Sequence, residues 1–462
     1  MDPRSTLVFF TARRRCLHIR DRLPRFGGWR VLLNADRIVS PFSSDDDVIR
    51  IAFVCPANQV IPFFIDYPMT KSFFLALVLS SCVAIAVFVL APSANSGQFH
   101  ILKARLGVVE DQLFLGNAFR EGTAPFKRDP AQALEWYSKA ADQGERDAQL
   151  EIGLMFLFGD GVASDMPKAV HWLQKSATLG QPEAQFQLGV IYRYGLGVDK
   201  DPVLAAAWLT QSANQGLGEA QYELATLLLK GEGVSKSVQA AMPWLTAAAQ
   251  SGVAEAQYQL GLQIFKGEGV PKDAGKAREW FLKAAEQGVP HAAYLLGDLY
   301  QSGAGVGRDA ALAMSWFEKA AQLDFLPAQY ALGAMYARGE GSGNQDERAF
   351  LWLGKAAERG IADAQYQIAR MYMLGRGVDQ DFIKARVWYE RAAEQSVSEA
   401  QFALGQIYAN GKGVPKDDKL AMKWLKKAAL QGHGWAKDLI DRLTGKDEPQ
   451  FVWDFMGEEQ EE

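Results

Sequence analysis

Cysteine is the residue type that this sequence most clearly lacks. Only three of the 462 residues are cysteines (Cys16, Cys55 and Cys82), and all three precede residue 100. No disulfide framework and no thiol metal site can therefore exist in the rest of the chain. Histidine is almost as scarce, and the five histidines do not have the spacing of metal ligands; they are His18, His100, His171, His291 and His433. The sequence predicts neither a metal site nor a cofactor.

A strong excess of charge of one sign is also missing. The chain has 49 basic and 54 acidic residues, which gives a net charge of -5. A nucleic-acid binder needs a basic balance, so nucleic acid is excluded as a partner. No Ser/His/Asp or Cys/His arrangement of the kind used in nucleophilic catalysis can be argued. We therefore expect a protein that is not an enzyme.

Long apolar runs are absent from the chain with one exception, residues 73–91, which contain no charge. A run of this length spans a hydrocarbon core of ~30 Å as a helix. Met69 and Lys71 precede it, as in a signal sequence or a signal anchor, so we predict that 69–96 is a signal peptide or a membrane anchor. Cys82 ends a segment that resembles a bacterial lipobox. Apolar residues follow that cysteine, so an anchor or an ordinary signal peptide is favoured over lipidation.

The first 68 residues contain ten arginines and no lysine, whereas lysine is common later in the chain. They show no sustained helical or strand period. Two interpretations are open: a misassigned extension upstream of Met69, or a disordered cytoplasmic tail whose arginines hold the N-terminus inside the cell. Both export the remainder of the chain. We expect it to be periplasmic in a bacterium, or membrane-anchored and facing the periplasm, and secretion is also open.

From residue 110 to residue 444 the sequence repeats every 36 residues. The repeat is marked by nine of the twelve tryptophans. They are Trp136, Trp172, Trp208, Trp244, Trp280, Trp316, Trp352, Trp388 and Trp424. A period of 20–50 residues is typical of a solenoid or an array.

One repeat, 253–288, shows the local structure to expect. Its first half has apolar residues at helical spacing, and Gly267 and Gly269 then end the helix. Asp273 follows as a helix start. The second half places Ala277, Trp280 and the next apolar residues at i, i+3, i+4, i+7 and i+8, one face of a second helix. Each repeat is therefore predicted to be a hairpin of two helices.

Comparison of the repeats with one another shows which positions the fold fixes. An alanine recurs in the first helix at Ala148, Ala184, Ala220, Ala256, Ala292, Ala328, Ala364 and Ala400. Another recurs in the second helix at Ala169, Ala205, Ala241, Ala277, Ala313, Ala349, Ala385 and Ala421. Small residues at fixed points let neighbouring helices approach closely, and large residues fill the remaining space. One hairpin cannot bury both of its faces, so the hairpins must stack.

The pattern A-x-A-Q-Y-x-L-G-x-x-Y, then G-x-G-V, then K-A-x-x-W-x-x-K-A-A-x-x-G resembles the Sel1-like repeat. That family is a 36-residue relative of the tetratricopeptide repeat, and the resemblance covers 110–444 as nine repeats and a terminal half-repeat. It implies an all-α, right-handed superhelical solenoid that binds other proteins. Some members of the family are linked to β-lactam hydrolysis. Those proteins are rich in cysteine, so the link is weak here.

Several positions depart from the pattern. Residues 123–125 replace the glycine pair of the first repeat, whose turn is one residue longer. Asp324 and Ser396 stand where other repeats close with glycine. Pro243 lies within a second helix and should kink it. The last half-repeat, 433–444, is charged, as a solvent-facing cap would be.

Three features could indicate chemistry, and a structural interpretation is favoured for each. Loops such as Gly231-Glu-Gly233 follow a helix and recur from repeat to repeat, which indicates turns rather than phosphate loops. The tryptophan column is interpreted as core packing rather than as an aromatic binding ladder. Replacing Trp280 by Ala should then cost roughly 3–5 kcal/mol. The histidines of the repeats, His171 and His291 among them, are interpreted as surface residues.

Three functions remain open: an interaction scaffold, a regulatory subunit of a membrane or envelope enzyme complex, and, least favoured, a cell-envelope hydrolase. The first two bind partner proteins in a groove. In tetratricopeptide arrays this groove is the concave face, which here is lined by first-helix positions that vary between repeats. One column contains Phe158, Tyr194, Lys230, Lys266, Ser302, Arg338, Leu374 and Asn410. A second contains Leu154, Val190, Thr226, Leu262, Asp298, Ala334, Arg370 and Gln406.

The groove is predicted to begin apolar and aromatic and to become basic toward its middle. It would fit a segment that carries an apolar anchor and several carboxylates. The chain's own acidic-aromatic tail, 445–462, matches this description, since Phe451, Trp453 and Phe455 lie among carboxylates. Such a tail can dock in its own groove or a neighbour's, or serve as a linear motif for a partner. A solvated, disordered tail is the favoured interpretation.

Overall fold

The computed structural model describes residues 30–34, 49–54, 60–65, 96–340 and 345–445. The chain forms two compact parts, Met1–Phe99 and His100–Glu462. The apolar run 73–91 and most of the acidic-aromatic tail lie outside the described residues, so their interpretations stay predictions. Among the described residues, no helix combines the length and the apolar character needed to cross a membrane.

The first part contains a small antiparallel sheet with the strand order β1-β2-β3. Its strands are β1 (Arg30–Asn34), β2 (Ile49–Val54) and β3 (Val60–Ile65). Leu32 of β1 lies opposite Ala52 of β2. The sequence of this part shows no sustained helical or strand period. The strands are runs of only five or six residues, rich in the β-branched and aromatic types that favour strands, and such short runs establish no period.

The second part is built from helices alone across its described residues, 100–340 and 345–445. It begins within α1 (Ser96–Arg105), and nine hairpins follow. Their first helices, the A helices, are α2 (Val109–Glu121), α4 (Arg146–Phe158), α6 (Pro182–Tyr194), α8 (Gly218–Lys230), α10 (Ala254–Lys266), α12 (Pro290–Ser302), α14 (Leu326–Ala337), α16 (Ala362–Leu374) and α18 (Ser398–Asn410). Their second helices, the B helices, are α3 (Pro130–Asp142), α5 (Met166–Thr178), α7 (Pro202–Asn214), α9 (Val238–Gln250), α11 (Ala274–Glu286), α13 (Ala310–Gln322), α15 (Gln345–Glu358), α17 (Phe382–Glu394) and α19 (Asp418–Leu430). The terminal half-repeat is α20 (Gly434–Leu443), so the predicted solenoid of helical hairpins is confirmed.

The helices pack in chain order. Each A helix contacts its own B helix, and each B helix contacts the A helix of the next repeat. Both predicted alanine columns are fully buried. A glycine in most A helices allows an equally close approach: a Cβ added at Gly297 would lie 2.6 Å from the ring of Phe317. Small residues therefore set the spacing of the helices, as the comparison of the repeats predicted.

The glycine loops are turns, as predicted. Gly267 ends α10 in the left-handed conformation, with φ 80°, and its N–H donates to the carbonyl of Gln263. Asp273, directly before α11, accepts a hydrogen bond from the backbone N–H of Lys276 at 2.9 Å. Both groups satisfy helix ends that would otherwise be unpaired. Nothing in this geometry offers a phosphate cradle.

The departures from the repeat pattern are accommodated locally. Asp324 and Ser396 adopt φ of 60° and 68°, so they keep the left-handed conformation that glycine has in the other repeats. Non-glycine residues pay a steric cost in this region, and Asp tolerates it better than most. Pro243 lies inside α9, and the helix continues from Val238 to Gln250 without interruption. Whether Pro243 bends the helix axis stays a prediction.

Candidate partner-binding surface

The first predicted groove column lies at the C-terminal ends of the A helices of repeats 2 to 9, and it is here called the end column. Its members are Phe158, Tyr194, Lys230, Lys266, Ser302, Leu374 and Asn410, with Arg338 directly after the end of α14. All are exposed, and the two aromatic members are the most notable, with Phe158 at 69% and Tyr194 at 57% exposure. The end column thus lies on a surface that the fold leaves free.

The second predicted column lies one turn earlier on the same helices and is less exposed. Leu154, Val190, Thr226, Leu262, Ala334 and Gln406 are half-buried, whereas Asp298 and Arg370 are exposed. The two columns therefore form one continuous strip that runs over the A helices. Its chemistry changes from repeat to repeat, as the sequence predicted.

The positive charge in the middle of the strip is smaller than the sequence suggests. Lys230 lies 3.9 Å from the carboxylate of Glu232, and Arg338 pairs with Glu340 at 2.5 Å. Lys266 makes no ion pair with the residues that the structure describes. These glutamates come from the turns that follow the A helices, a contact that the column pattern alone does not reveal. A carboxylate ligand would have to compete with them, although exposed ion pairs of this kind are weak.

An arginine clamp joins two pairs of neighbouring repeats. Arg120, the last but one residue of α2, pairs with Glu151 of α4 and with Asp160 at 3.0 Å. Arg193 holds the same position in α6; it pairs with Glu223 of α8 and with Glu232 at 3.1 Å. The two clamps fasten repeat 1 to repeat 2 and repeat 3 to repeat 4.

Both clamp arginines are partly or fully withdrawn from water and are paired with carboxylates instead. Burial acts to lower the pKa of Arg120, but its hydrogen bond to Asp160 and the charge of Glu151 raise the pKa overall. Arg193 is only 3% exposed, so its two carboxylates stand in for the water that it has lost. Removing one partner of such a buried pair is costly because the other charge is left unpaired.

Between the clamped pairs, repeats 2 and 3 meet at an apolar pocket of about 440 Å³. Leu157, Gln187 and Leu196 occupy the three positions that the arginine and its two carboxylates occupy at the clamps. Phe158 and Val190, both predicted groove residues, also line this pocket. The structure thus brings members of both predicted columns together at one place.

The tryptophan column of the B helices lies at the edge of the core. Four of its members are nearly buried, at 8–9% exposure, and the other five, Trp280 among them, are half-buried. The following residue is the deeper one: Phe281, for example, is fully buried. Core packing is therefore only part of the explanation for the tryptophans, because the core position itself is the next residue.

A cation of the same helix covers most of these indoles. Lys283 lies 4.2 Å from the ring centroid of Trp280, and Lys319 lies 3.9 Å from that of Trp316. The same arrangement, with the cation three residues after the tryptophan, occurs at Trp136, Trp172, Trp352, Trp388 and Trp424. Since cations within about 6 Å of an aromatic ring are attracted to it, these faces are already occupied. They do not form a free aromatic ladder.

A column of buried glutamines links the repeats and was missed by the sequence analysis. The side-chain amide of Gln185 donates to the carbonyl of Ala177 in the preceding B helix at 3.1 Å. Its oxygen accepts from Gln215 at 2.8 Å. The amide contact with the residue eight positions earlier recurs at Gln112, Gln149, Gln221, Gln257, Gln329, Gln365 and Gln401. The Q of the motif A-x-A-Q was visible in the sequence, but its partners lie eight and thirty residues away.

Repeat 7 is one of the repeats in which another residue replaces the second glutamine of this link. Arg359 takes the place of the second glutamine and pairs with Asp324 at 2.8 Å. Asp324 also accepts a hydrogen bond from Gln329, whose own oxygen is buried without a hydrogen-bond partner. These residues line a depression of about 480 Å³ beside Trp352. The substitution of Asp for the closing glycine thus supplies the partner of Arg359.

The repeat histidines make aromatic contacts. His291 lies 4.5 Å from Phe325 and His433 lies 4.5 Å from Phe402, measured between ring centroids. Burial lowers the pKa of His433. Among the described residues there is no group of three or more His, Cys, Asp or Glu side chains that could hold a metal ion.

Comparisons with known proteins agree with this architecture. The Sel1 repeat model matches nine consecutive segments: 109–145, 146–181, 182–217, 218–253, 254–289, 290–325, 326–361, 362–397 and 398–433. None of the curated proteins matches the chain.

Solved structures also match the chain, and two of them are at least 30% identical to it over most of its length. One is a protective antigen present in uropathogenic Escherichia coli strains, with 33% identity, coverage of 76% of this chain and 75% of that chain, and a TM-score of 0.65. The other is a Sel1 repeat protein from Oxalobacter formigenes, with 32% identity, coverage of 70% and 93%, and a TM-score of 0.51.

Proposed function

Because the chain belongs to the Sel1 repeat family, we propose that it is a non-catalytic scaffold that binds segments of other proteins along the strip of A-helix residues. The repeat fold itself supports a role in protein interaction. The observation that carries the proposal is the contrast within each A helix. The alanine column is the same in eight of the nine repeats and is buried, whereas the end column is exposed and contains aromatic, basic, polar and aliphatic residues in different repeats. A surface that folding does not fix is available for recognition.

The chemistry of the strip favours a segment that combines apolar and acidic residues. Phe158 and Tyr194 are large, exposed apolar side chains at one end, and aromatic residues of this kind dominate the energy of many interfaces. Lys230, Lys266 and Arg338 follow along the end column. The lysines and the arginine favour carboxylates and set the register, although Glu232 and Glu340 reduce their net charge.

A capture experiment tests the proposal. The full chain is used as bait in bacterial envelope extract, and captured proteins are compared between the unchanged chain and the triple variant Lys230→Glu, Lys266→Glu, Arg338→Glu. We expect the triple variant to lose its specific partners without losing helicity, because the charges of the strip are reversed.

The matched control is Lys236→Glu, Lys426→Glu, Lys437→Glu, which reverses three exposed lysines outside the strip. The control should retain the partners. If the triple variant keeps its partners with the fold intact, the working surface is elsewhere, on the B helices or the turns.

The location of the repeats is a second element of the proposal. We place them outside the cytoplasm, since Lys71 precedes the apolar run 73–91 and the later sequence contains no second run of that kind. Alkaline phosphatase fused after residue 120 should then be active. An inactive fusion, together with an active cytoplasmic reporter at the same point, would reverse the assignment.

A further inference from the structure

The first four repeats form three junctions, and only the junction between repeats 2 and 3 lacks the arginine clamp. The apolar pocket lies at this junction. The positions of the clamp are filled there by Leu157, Gln187 and Leu196, and no residue that lines the pocket is charged. A clamp at this place would close the opening with an arginine and two carboxylates, as it does on either side. The apolar pocket therefore lies between two junctions that are closed by arginine clamps.

The rim of the pocket is unusually apolar for a surface. Phe158 is 69% exposed and Leu196 is 44% exposed, and both line the pocket. Tyr194, 57% exposed, lies two residues before Leu196 at the end of α6. A pocket of this volume with an apolar wall accepts a large aromatic or aliphatic side chain, which would also cover these exposed groups.

We propose that this pocket binds the acidic-aromatic tail of a second copy of the chain, with Trp453 or Phe455 as the inserted side chain. The proposal deepens the proposed function, since it names one segment that the strip binds. The tail has the required chemistry, because Phe451, Trp453 and Phe455 alternate along it. Residues 446–462 contain seven carboxylates and a single lysine, Lys446.

The charges of the tail match the strip beyond the pocket. Glu458 and Glu459 follow Phe455 by three and four residues, about 10–14 Å in an extended chain. One repeat advances the end column by roughly 10 Å, the usual distance between packed helices. With an aromatic residue in the pocket, the glutamates therefore reach Lys230, the end-column residue of the next repeat, and the last residues approach Lys266.

The reach of the tail points to a second copy rather than to the same chain. Phe455 is ten residues beyond Gly445, which an extended chain covers in at most about 36 Å. Repeats 4 to 9 lie between the pocket and α20 in the stack. Six repeats with packed helices about 8–10 Å apart correspond to about 50–60 Å along the stack.

A peptide titration tests the site. A labelled peptide of residues 446–462 is titrated into the full chain whose own tail carries Phe451→Ala, Trp453→Ala and Phe455→Ala, so that no tail competes. We expect saturable binding. The pocket variant Leu157→Arg, Gln187→Glu, Leu196→Glu installs the clamp that the chain already has at two junctions. It should raise the Kd at least about tenfold, because a charged seal replaces the apolar wall.

The matched control installs the same clamp far from the pocket, at repeats 6 and 7. Gln301→Arg and Ala331→Glu supply two of its members, and Glu340 is already present. The Kd should be unchanged. Absence of binding to the chain with the unaltered pocket, or equal weakening by both clamp variants, would overturn the site.

Self-association tests the second copy. Light scattering of the unchanged chain should show a mass that rises reversibly with concentration, and the pocket variant and the triple tail variant should both lose this rise. A mass that is independent of concentration, with the tail aromatics protected, would mean that the tail occupies its own chain's pocket. Partner capture by the strip is a separate readout, so a failure here leaves the proposed function standing if that capture persists in the pocket variant.

Discussion

The two helices of one repeat differ in which positions are exposed and variable and which are buried and restricted in residue type. Repeat 5 shows this contrast within 36 residues. Its A helix ends in Lys266, which is exposed and which several other repeats replace by aromatic, aliphatic or polar residues. Its B helix contains Phe281, which is fully buried and which other repeats replace only by Leu or Tyr. Between them in exposure stands Trp280, half-buried under Lys283. A recurrent residue is thus not always the most deeply buried one.

The largest expected effect of a substitution is at Phe281. Phe281→Ala should lower the free energy of unfolding by about 3–5 kcal/mol, as for other large core truncations. Lys266→Ala in the same repeat should change it by no more than about 0.5 kcal/mol. Since repeats contact only their neighbours, hydrogen exchange should show the loss of protection centred on repeat 5. Similar losses for the two variants would break the contrast between the helices.

Trp280 sharpens the contrast. The sequence alone predicts 3–5 kcal/mol for Trp280→Ala, but the half-burial of the indole reduces our expectation to about 2 kcal/mol. Lys283→Ala should cost only about 0.5–1 kcal/mol, because it removes the cation above the ring. Denaturant unfolding of both single variants and of the double variant measures the coupling. If Trp280→Ala lowers the free energy of unfolding as much as Phe281→Ala does, the tryptophan contributes as a full core residue.

The smallest expected effect is a dependence on pH at the starts of the B helices. Backbone hydrogen bonds hold the pKa of Asp165, Asp273 and Asp381 below the usual range of a carboxyl group. A carboxyl group whose pKa is lower in the folded state stabilises the fold above its unfolded pKa, about 3.9. That contribution is lost as the pH falls through the lower, folded value.

Repeat 4 provides the natural control for this effect. Its B helix is capped by Ser237, which does not titrate and which accepts a hydrogen bond from the N–H of Ala240 at 3.2 Å. The thermal unfolding midpoint should fall as the pH drops below the unfolded pKa of the aspartates. Changing the three aspartates to serine should make this decrease shallower and leave the midpoint near pH 7 almost unchanged. A decrease with the same slope in both proteins would assign it to other carboxylates.

The fold was predictable from the sequence because each of its determinants is local or periodic. Residues such as Ala256 and Gly267 show their roles through spacing and through comparison of repeats within the one chain. The end column was found in the same way, since it is the position that varies. The strands near residues 30–65 were missed because they have no period and no repeat.

The pocket and the clamps were not predictable, because they depend on residues from two repeats at once. Leu157, Gln187 and Leu196 are unremarkable one by one. They form a site only because the packing brings the end of one A helix against the side of the next. The partial neutralisation of Lys230 by Glu232 was hidden for the same reason. Comparison of the repeats shows which positions vary. Only the contacts between repeats show which of the varying residues combine into one site.

The glutamine column has a mechanical consequence at one junction. Repeat 6 has Ala293 and Leu323 at the two positions where five other repeats have the hydrogen-bonded glutamine pair. Unlike every other repeat it lacks the first glutamine too, and apolar and aromatic groups such as Tyr294 and Phe325 fill the space. A hydrogen bond fixes both the direction and the register of two surfaces, but apolar contact is not directional. Under tension along the array, the junction between repeats 5 and 6 can therefore slide or tilt. The junctions on either side are held by the hydrogen bonds of Gln257 and Gln329. We therefore expect a solenoid under tension to deform first at the junction between repeats 5 and 6.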